Sequence, residues 1–177
     1  MNTETLIHNT RRMVLVVEDE AINREMLGFI LQEQYDVLYA ENGREALDLL
    51  RSTVRQVSMV LLDINMPVMN GFEMMREMRE DAALSLIPVI VLTSDRNAEL
   101  AALDHGAVDF IPKPYDMPSI ILARVARIIQ FTEDRRIIRD VEHDELTGLY
   151  TRSFFHEYCA ALIRDHGAPL DMIAVDV

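Results

Sequence analysis

Four predominantly apolar runs punctuate the first two thirds of the chain: Met13–Val17, Val57–Leu62, Val89–Leu92 and Val108–Ile111. A strand buried on both faces reads this way, because neither side-chain direction meets water. Val37–Ala40 is shorter and predicts a fifth strand nearer an edge. The stretches between carry helical spacing. Ile22, Met26, Phe29 and Ile30 fall at i, i+4, i+7 and i+8, which predicts one buried helical face. Asn42–Gly43 precedes Ala46, Leu47 and Leu50, a second helix, and Phe72, Met75 and Met78 mark a third. Asp95 is a candidate N-cap opening an alanine-rich fourth. Strand and helix alternate five times, the pattern of an α/β domain with a parallel sheet and helices on both faces.

The pattern changes after Pro114. Pro118 suits an early helical position, and no proline or glycine follows from Ser119 to about His143. Ile121, Leu122, Val125, Ile128 and Ile129 are apolar enough to pack on the sheet, whereas Glu133–Glu142 is mostly charged. Two readings of that charged half stay open: a solvated connecting helix, or a two-stranded coiled coil in a dimer. Asp144–Gly148 then breaks the helix. A further helix is predicted from Thr151, with Phe154, Phe155, Tyr158 and Leu162 facing a core, and Gly167–Pro169 ends it. Leu170–Val177 reads as a strand. One helix and one strand cannot bury a core alone, so residues 144–177 read as the start of a second domain.

Composition narrows the function. The chain has 177 residues, is half hydrophobic and carries a net charge of −13. An acidic surface repels phosphate backbones, so no nucleic-acid partner is expected for this segment. The single cysteine, Cys159, forms no internal disulfide and reads as a partly buried core residue. Residues 1–12 are a polar tail without the apolar core of a signal peptide. No run reaches the roughly 18 apolar residues of a membrane span. A soluble, cytoplasmic protein with no membrane partner is expected.

The candidate chemistry lies at the strand ends, where open parallel sheets bind ligands. Glu18, Asp19 and Glu20 follow the first apolar run, Asp63 the run 57–62, Thr93 and Ser94 the run 89–92, and Pro112 and Lys113 the last. Clustered carboxylates repel one another, and a hard divalent cation relieves the repulsion. Oxygen donors without cysteine or histidine suit Mg2+, which keeps waters for a phosphate. Asp63 is then a carboxylate nucleophile that forms an acyl phosphate. The metal and Lys113 neutralise charge on the transferring group, and Thr93 donates a hydrogen bond to a phosphoryl oxygen. A lone aspartate at a strand end is usually a cap or turn residue. Four separate strand ends each supplying a fitting group carry the functional reading.

Residues 13–130 resemble the receiver domain of two-component response regulators. Four strings carry the resemblance: Val-Val-Glu-Asp-Glu at 16–20, Leu-Leu-Asp-Ile-Asn-Met-Pro-Val-Met-Asn-Gly at 61–71, Thr93, and Asp-Phe-Ile-Pro-Lys-Pro at 109–114. The resemblance implies a flavodoxin-like, doubly wound (βα)5 fold with strand order 2-1-3-4-5 and an extended C-terminal helix. It implies Asp63 as phospho-acceptor, Glu18, Asp19, Asp63 and the backbone carbonyl of Asn65 as Mg2+ ligands, and a cis Lys113–Pro114 peptide. It also implies a switch in which Thr93 turns to the phosphoryl group and Phe110 turns inward; read from its strand alone, Phe110 is otherwise a core residue. The implied donor is a sensor histidine kinase or phosphotransfer protein. Glu18 stands where the family often has aspartate.

The string His-Asp-Glu-Leu-Thr-Gly-Leu-Tyr-Thr-Arg-Ser-Phe-Phe at 143–155 resembles the opening of a GGDEF domain, the diguanylate cyclase that condenses two GTP into cyclic di-GMP. By that resemblance Asp176 would be the first metal-binding aspartate of the output domain. The Gly-Gly-Asp/Glu-Glu-Phe signature is absent, so this polypeptide is not expected to make cyclic di-GMP. The implied organisation is a tail (1–12), a receiver (13–130), a helical linker (131–143) and a truncated GGDEF start (144–177). Phosphorylation at Asp63 would favour a homodimer and so control a cyclase in a longer parent. A stand-alone adaptor and a transcription-controlling regulator are the alternatives.

Overall fold

The computed structural model describes residues 11–53, 56–144 and 147–166. The chain divides into two compact units, Met1–Ile129 and Gln130–Val177. In the first, β1 (Met13–Val17), β2 (Asp36–Ala40), β3 (Val57–Asp63), β4 (Val89–Thr93) and β5 (Asp109–Pro112) alternate with α1 (Ala21–Leu31), α2 (Gly43–Thr53), α3 (Gly71–Glu80) and α4 (Arg96–Asp104). A short 3-10 turn at Leu84–Leu86, which the hydrophobic pattern did not announce, precedes β4. α5 (Pro118–Glu142) is one continuous helix of 25 residues that begins at Pro118. All strand pairs are parallel, in the order β2-β1-β3-β4-β5, with the short strand at an edge as its length suggested.

The period of two sorts each strand onto two cores. Leu15, Val17, Val60, Leu62, Val89 and Val91 pack with Leu47 and Leu50 of α2, Met74, Met75 and Met78 of α3, and Ala102 of α4. Their neighbours Val14, Val16, Met59, Leu61, Ile90 and Leu92 pack with Leu27, Ile30 and Leu31 of α1 and Ile121, Val125, Ile128 and Ile129 of α5. The sheet is therefore covered on both faces.

One expected face is corrected. Of the α1 stripe Ile22, Met26, Phe29 and Ile30, only Ile30 is buried; Ile22 and Phe29 are 77% and 74% exposed, and Met26 is also exposed. The buried stripe is Leu27, Gly28, Ile30 and Leu31, about a third of a turn round the helix. Gly28 explains the choice: a Cβ there would collide with the Tyr39 hydroxyl on β2. The helix lies close to the sheet at the glycine, which turns the other stripe to solvent.

In the second unit, hydrogen bonds join the residues that flank positions 145 and 146. Asp144 Oδ1 accepts from the Thr147 N–H at 2.9 Å and its hydroxyl at 2.8 Å. His143 and Tyr150 form an antiparallel bridge, and Gly148 takes φ 68°. The Thr151 hydroxyl donates to the Val141 carbonyl at 2.8 Å. α6 (Arg152–His166) follows. Phe154, Phe155 and Leu162 are half-buried, as is Cys159, while Tyr158 is exposed. The expected strand at 170–177, and with it Asp176, lies outside the described residues.

Candidate functional site

Strand register assembles the site. Val17 pairs with Leu62, so Glu18 comes level with Asp63, the last residue of β3. Asp63 pairs with Leu92, and Thr93 pairs with Pro112, so Thr93 and Lys113 stand one step further along the same edge. Backbone bonds continue the ladder past the strands, from the Glu18 N–H to the Ala40 carbonyl at 3.1 Å and from the Lys113 N–H to the Thr93 carbonyl at 2.8 Å. The Lys113–Pro114 peptide is cis.

Glu18, Asp63 and Thr93 are buried polar residues. The Lys113 ammonium bridges the two acids, 2.8 Å from Glu18 Oε2, 3.1 Å from Glu18 Oε1 and 3.0 Å from Asp63 Oδ2. The Ile64 N–H donates to Asp63 Oδ1 at 2.8 Å. Burial pushes the Asp63 carboxyl above its ordinary value, and the neighbouring Glu18 charge adds to that against the pull of Lys113 and the Asn65 N–H. Burial pulls Lys113 down, but its bonds to Glu18 and Asp63 outweigh this and the net shift is upward. Two buried carboxylates thus share one cation.

A carboxylate oxygen from each of Glu18, Asp19 and Asp63 lies within 4.8 Å of the others. Asp19 is the most solvent-accessible member and opens the cluster to water. An all-oxygen donor set with one solvent-facing side fits a hard divalent cation that retains waters. Asn65, whose carbonyl was expected among the ligands, is two residues beyond Asp63 in the loop that leads to α3. Glycine at 71 is required where that loop closes, since a Cβ there would lie 2.5 Å from the Asp63 carbonyl oxygen. Thr93 sits buried at the same edge, its hydroxyl accepting from the Asp95 N–H at 3.0 Å. Phe110 is half-buried against the core on the α2–α4 face. A separate cavity lined by Phe72, Arg76, Arg79 and His105 contains none of these residues.

A family profile described as the response regulator receiver domain matches residues 14–125. The chain belongs to this family. A probable transcriptional regulatory protein from Picosynechococcus sp. is 30% identical over 164 residues, covering 88% of this chain and 63% of that protein. A solved structure of a probable two-component system response regulator/GGDEF domain protein is 29% identical with a TM-score of 0.65, covering 71% of this chain and 52% of that one. The receiver domain of a sensor histidine kinase from Pseudomonas aeruginosa PAO1, solved with magnesium coordinated in its active-site cleft, is 26% identical with a TM-score of 0.59; the match covers 67% of this chain and 98% of that one. The chain spans less than two thirds of the length of the first two. Among its described residues this receiver has no helix long and apolar enough to cross a membrane.

Three residues of the receiver's site escaped the sequence reading. The Asn23 amide donates to Glu18 Oε1 at 3.2 Å. The Tyr115 hydroxyl donates to Glu18 Oε2 at 3.3 Å. The Arg24 guanidinium donates to the carbonyls of Glu18 at 2.6 Å and Asp19 at 3.1 Å, and pairs with Glu41 at 2.8 Å. Asn23 and Arg24 look like ordinary polar positions of a first helical turn, and Tyr115 like an aromatic after a proline. Only their closeness to the acidic strand ends hinted at a role.

Proposed function

We propose that this receiver accepts a phosphoryl group on Asp63 from a histidine kinase or phosphotransfer protein and passes the signal on as a change of surface. The observation that carries this reading is the Lys113 bridge between the buried Asp63 and Glu18 carboxylates, at the edge where Asp19 completes an acidic cluster. An Asp63 oxygen attacks phosphorus, the bond from phosphorus to the donor nitrogen breaks, and an acyl phosphate forms. Lys113, already 3.0 Å from Asp63 Oδ2, can follow the added negative charge. Glu18, Asp19, Asp63 and the Asn65 carbonyl would hold Mg2+, which supplies charge neutralisation for the transferring group. The magnesium in the Pseudomonas aeruginosa receiver supports this assignment. Thr93 would trade its bond with Asp95 for a phosphoryl oxygen, and the half-buried Phe110 would turn into the space released.

For the output, we propose a GGDEF diguanylate cyclase following a receiver of 13–130 and a helical linker of 131–143, with 144–177 its opening segment and Asp176 its first metal ligand. The likeness to a response regulator/GGDEF structure and the Asp144–Thr147 hydrogen bonds after α5 support it. Two GTP-bearing domains must meet, so phosphorylation would act through a homodimer. Transcriptional control is the second reading, favoured by the Picosynechococcus relative. Intact-mass measurement after incubation with acetyl phosphate and Mg2+ tests the receiver chemistry, beside Asp63→Asn. A gain of about 80 Da, one phosphoryl group on a carboxylate, is expected in the wild type only. Equal gain in both proteins would place the label elsewhere. Light scattering of the same samples tests dimerisation.

A further inference from the structure

Glu18 lies deepest in the cluster and has no solvent exposure. Its side chain is one methylene longer than aspartate, which adds about 1.5 Å of reach and one more rotatable bond. Something must therefore define where its carboxylate rests. Oε1 takes the Asn23 amide and one contact from Lys113. Oε2 takes the other contact from Lys113 and the Tyr115 hydroxyl. Lys113 is shared with Asp63, so its hold on Glu18 weakens whenever Asp63 draws it away. Tyr115 is not shared in this way. It is buried, and it belongs to the core that α1 and α5 form on this face of the sheet. The phenol cannot retreat to water, and a buried tyrosine hydroxyl needs a partner. At 3.3 Å the contact is longer than the usual O–H···O separation of about 2.5–3.0 Å, and it joins two groups that are both buried.

We infer that Tyr115 is a positioning residue of the pocket: its hydroxyl fixes the Glu18 carboxylate in the orientation that keeps an oxygen beside Asp19 and Asp63, where a divalent cation would be held. This rests on the proposed metal site. It also gives the glutamate at position 18 a structural partner, since an aspartate carboxylate would stop short of the phenol.

The test is Mn2+ affinity, read by electron paramagnetic resonance on the full chain without any phosphoryl donor. Four proteins form a cycle: wild type, Tyr115→Phe, Glu18→Asp and the double variant. Asp63→Asn serves as the site control. Loss of the hydroxyl is expected to weaken Mn2+ binding about 3- to 10-fold when Glu18 is present, in the range of one outer hydrogen bond to a ligand. In the Glu18→Asp background the same substitution should change affinity less than about twofold, because the interaction it removes is already gone. Far-UV circular dichroism of each variant confirms that it folds; ring packing alone would produce the same loss in both backgrounds, and that outcome overturns the inference. Wild-type affinity in Tyr115→Phe overturns it as well. A wild type that binds no Mn2+, or binds it equally well as Asp63→Asn, overturns the metal site together with the inference.

Discussion

Replacing Lys113 with methionine removes the pocket's shared cation at little cost in volume. The ammonium is 2.8 Å from Glu18 Oε2 and 3.0 Å from Asp63 Oδ2. At such distances and an effective dielectric of about 20, each contact is worth about 6 kcal/mol of Coulomb attraction, before desolvation of the three groups takes most of it back. Methionine leaves two buried carboxylates facing each other, and breaking a buried pair costs about 3–5 kcal/mol. Here Asp19 opens the cluster to water and Asp63 can take up a proton, so the cost falls to the lower end of that range or just below it, about 2–3 kcal/mol at neutral pH. For a chain of this size that is a fall in Tm of about 5–10 °C. The pH dependence has a definite sign. Asp63 is already raised above 3.8 in the folded protein, and losing Lys113 raises it further. A carboxyl raised on folding favours the fold below its unfolded value and loses that contribution as pH rises through the folded value. The deficit of Lys113→Met should therefore be largest at neutral pH and shrink toward 3.8. In the wild type, Lys113 is raised above 10.5, so its contribution is complete at neutral pH and is lost only above that value. Mg2+ should return part of the deficit, since it replaces the missing positive charge. Thermal melts by far-UV circular dichroism, at neutral pH and near 3.8, with EDTA or Mg2+, measure all of this. An equal deficit at both pH values, unaffected by Mg2+, would refute the electrostatic account and leave Lys113 a packing role only.

The corrected face of α1 predicts that Leu27→Ala costs about 2–5 kcal/mol in urea denaturation whereas Phe29→Ala stays within about 0.5 kcal/mol; equal costs would contradict the burial of one stripe and exposure of the other. Asn70 and Glu73 form a reciprocal capping box at the start of α3, so Asn70→Ala should cost about 1 kcal/mol by the same method. Val68 holds φ 68°, a left-handed conformation that a β-branched residue adopts only under strain. Because its side chain is exposed, Val68→Asn should gain about 0.5–1 kcal/mol, and a loss would show that the valine makes a contact that matters.

The sheet was legible because its central strands are buried on both faces, so Leu15, Val60 and Val91 and their neighbours form runs that only a strand of few residues can accommodate. The helical face of α1 was not, because that helix carries more apolar side chains than the core has room for. Ile22, Met26 and Phe29 satisfy the helical period as well as Leu27, Ile30 and Leu31 do. The deciding feature, Gly28 beneath the Tyr39 hydroxyl, is a contact between α1 and β2 that no periodicity records. The same division runs through the site. Glu18, Asp19, Asp63, Thr93 and Lys113 each lie at or just past a strand end, and parallel register alone gathers them. The groups that bind to the acids from behind depend on packing. Tyr115 reaches Glu18 across 97 positions of sequence, and Arg24 reaches back from the first turn of α1 to two backbone carbonyls. Hydrophobic pattern thus located the edge that gathers the acids, while the side chains bonded to them appeared only in three dimensions.

The measurement that bears most directly on the account is residue-level mapping of the acyl phosphate. The full chain is incubated with acetyl phosphate and Mg2+, the acyl phosphate is reduced with borohydride, and the peptides are sequenced by tandem mass spectrometry. Reduction converts a phosphorylated aspartate to homoserine and leaves a free carboxylate unchanged. Homoserine is expected at position 63, with Asp19 and every other acid intact. Homoserine at another acid, with position 63 unmodified, would contradict it.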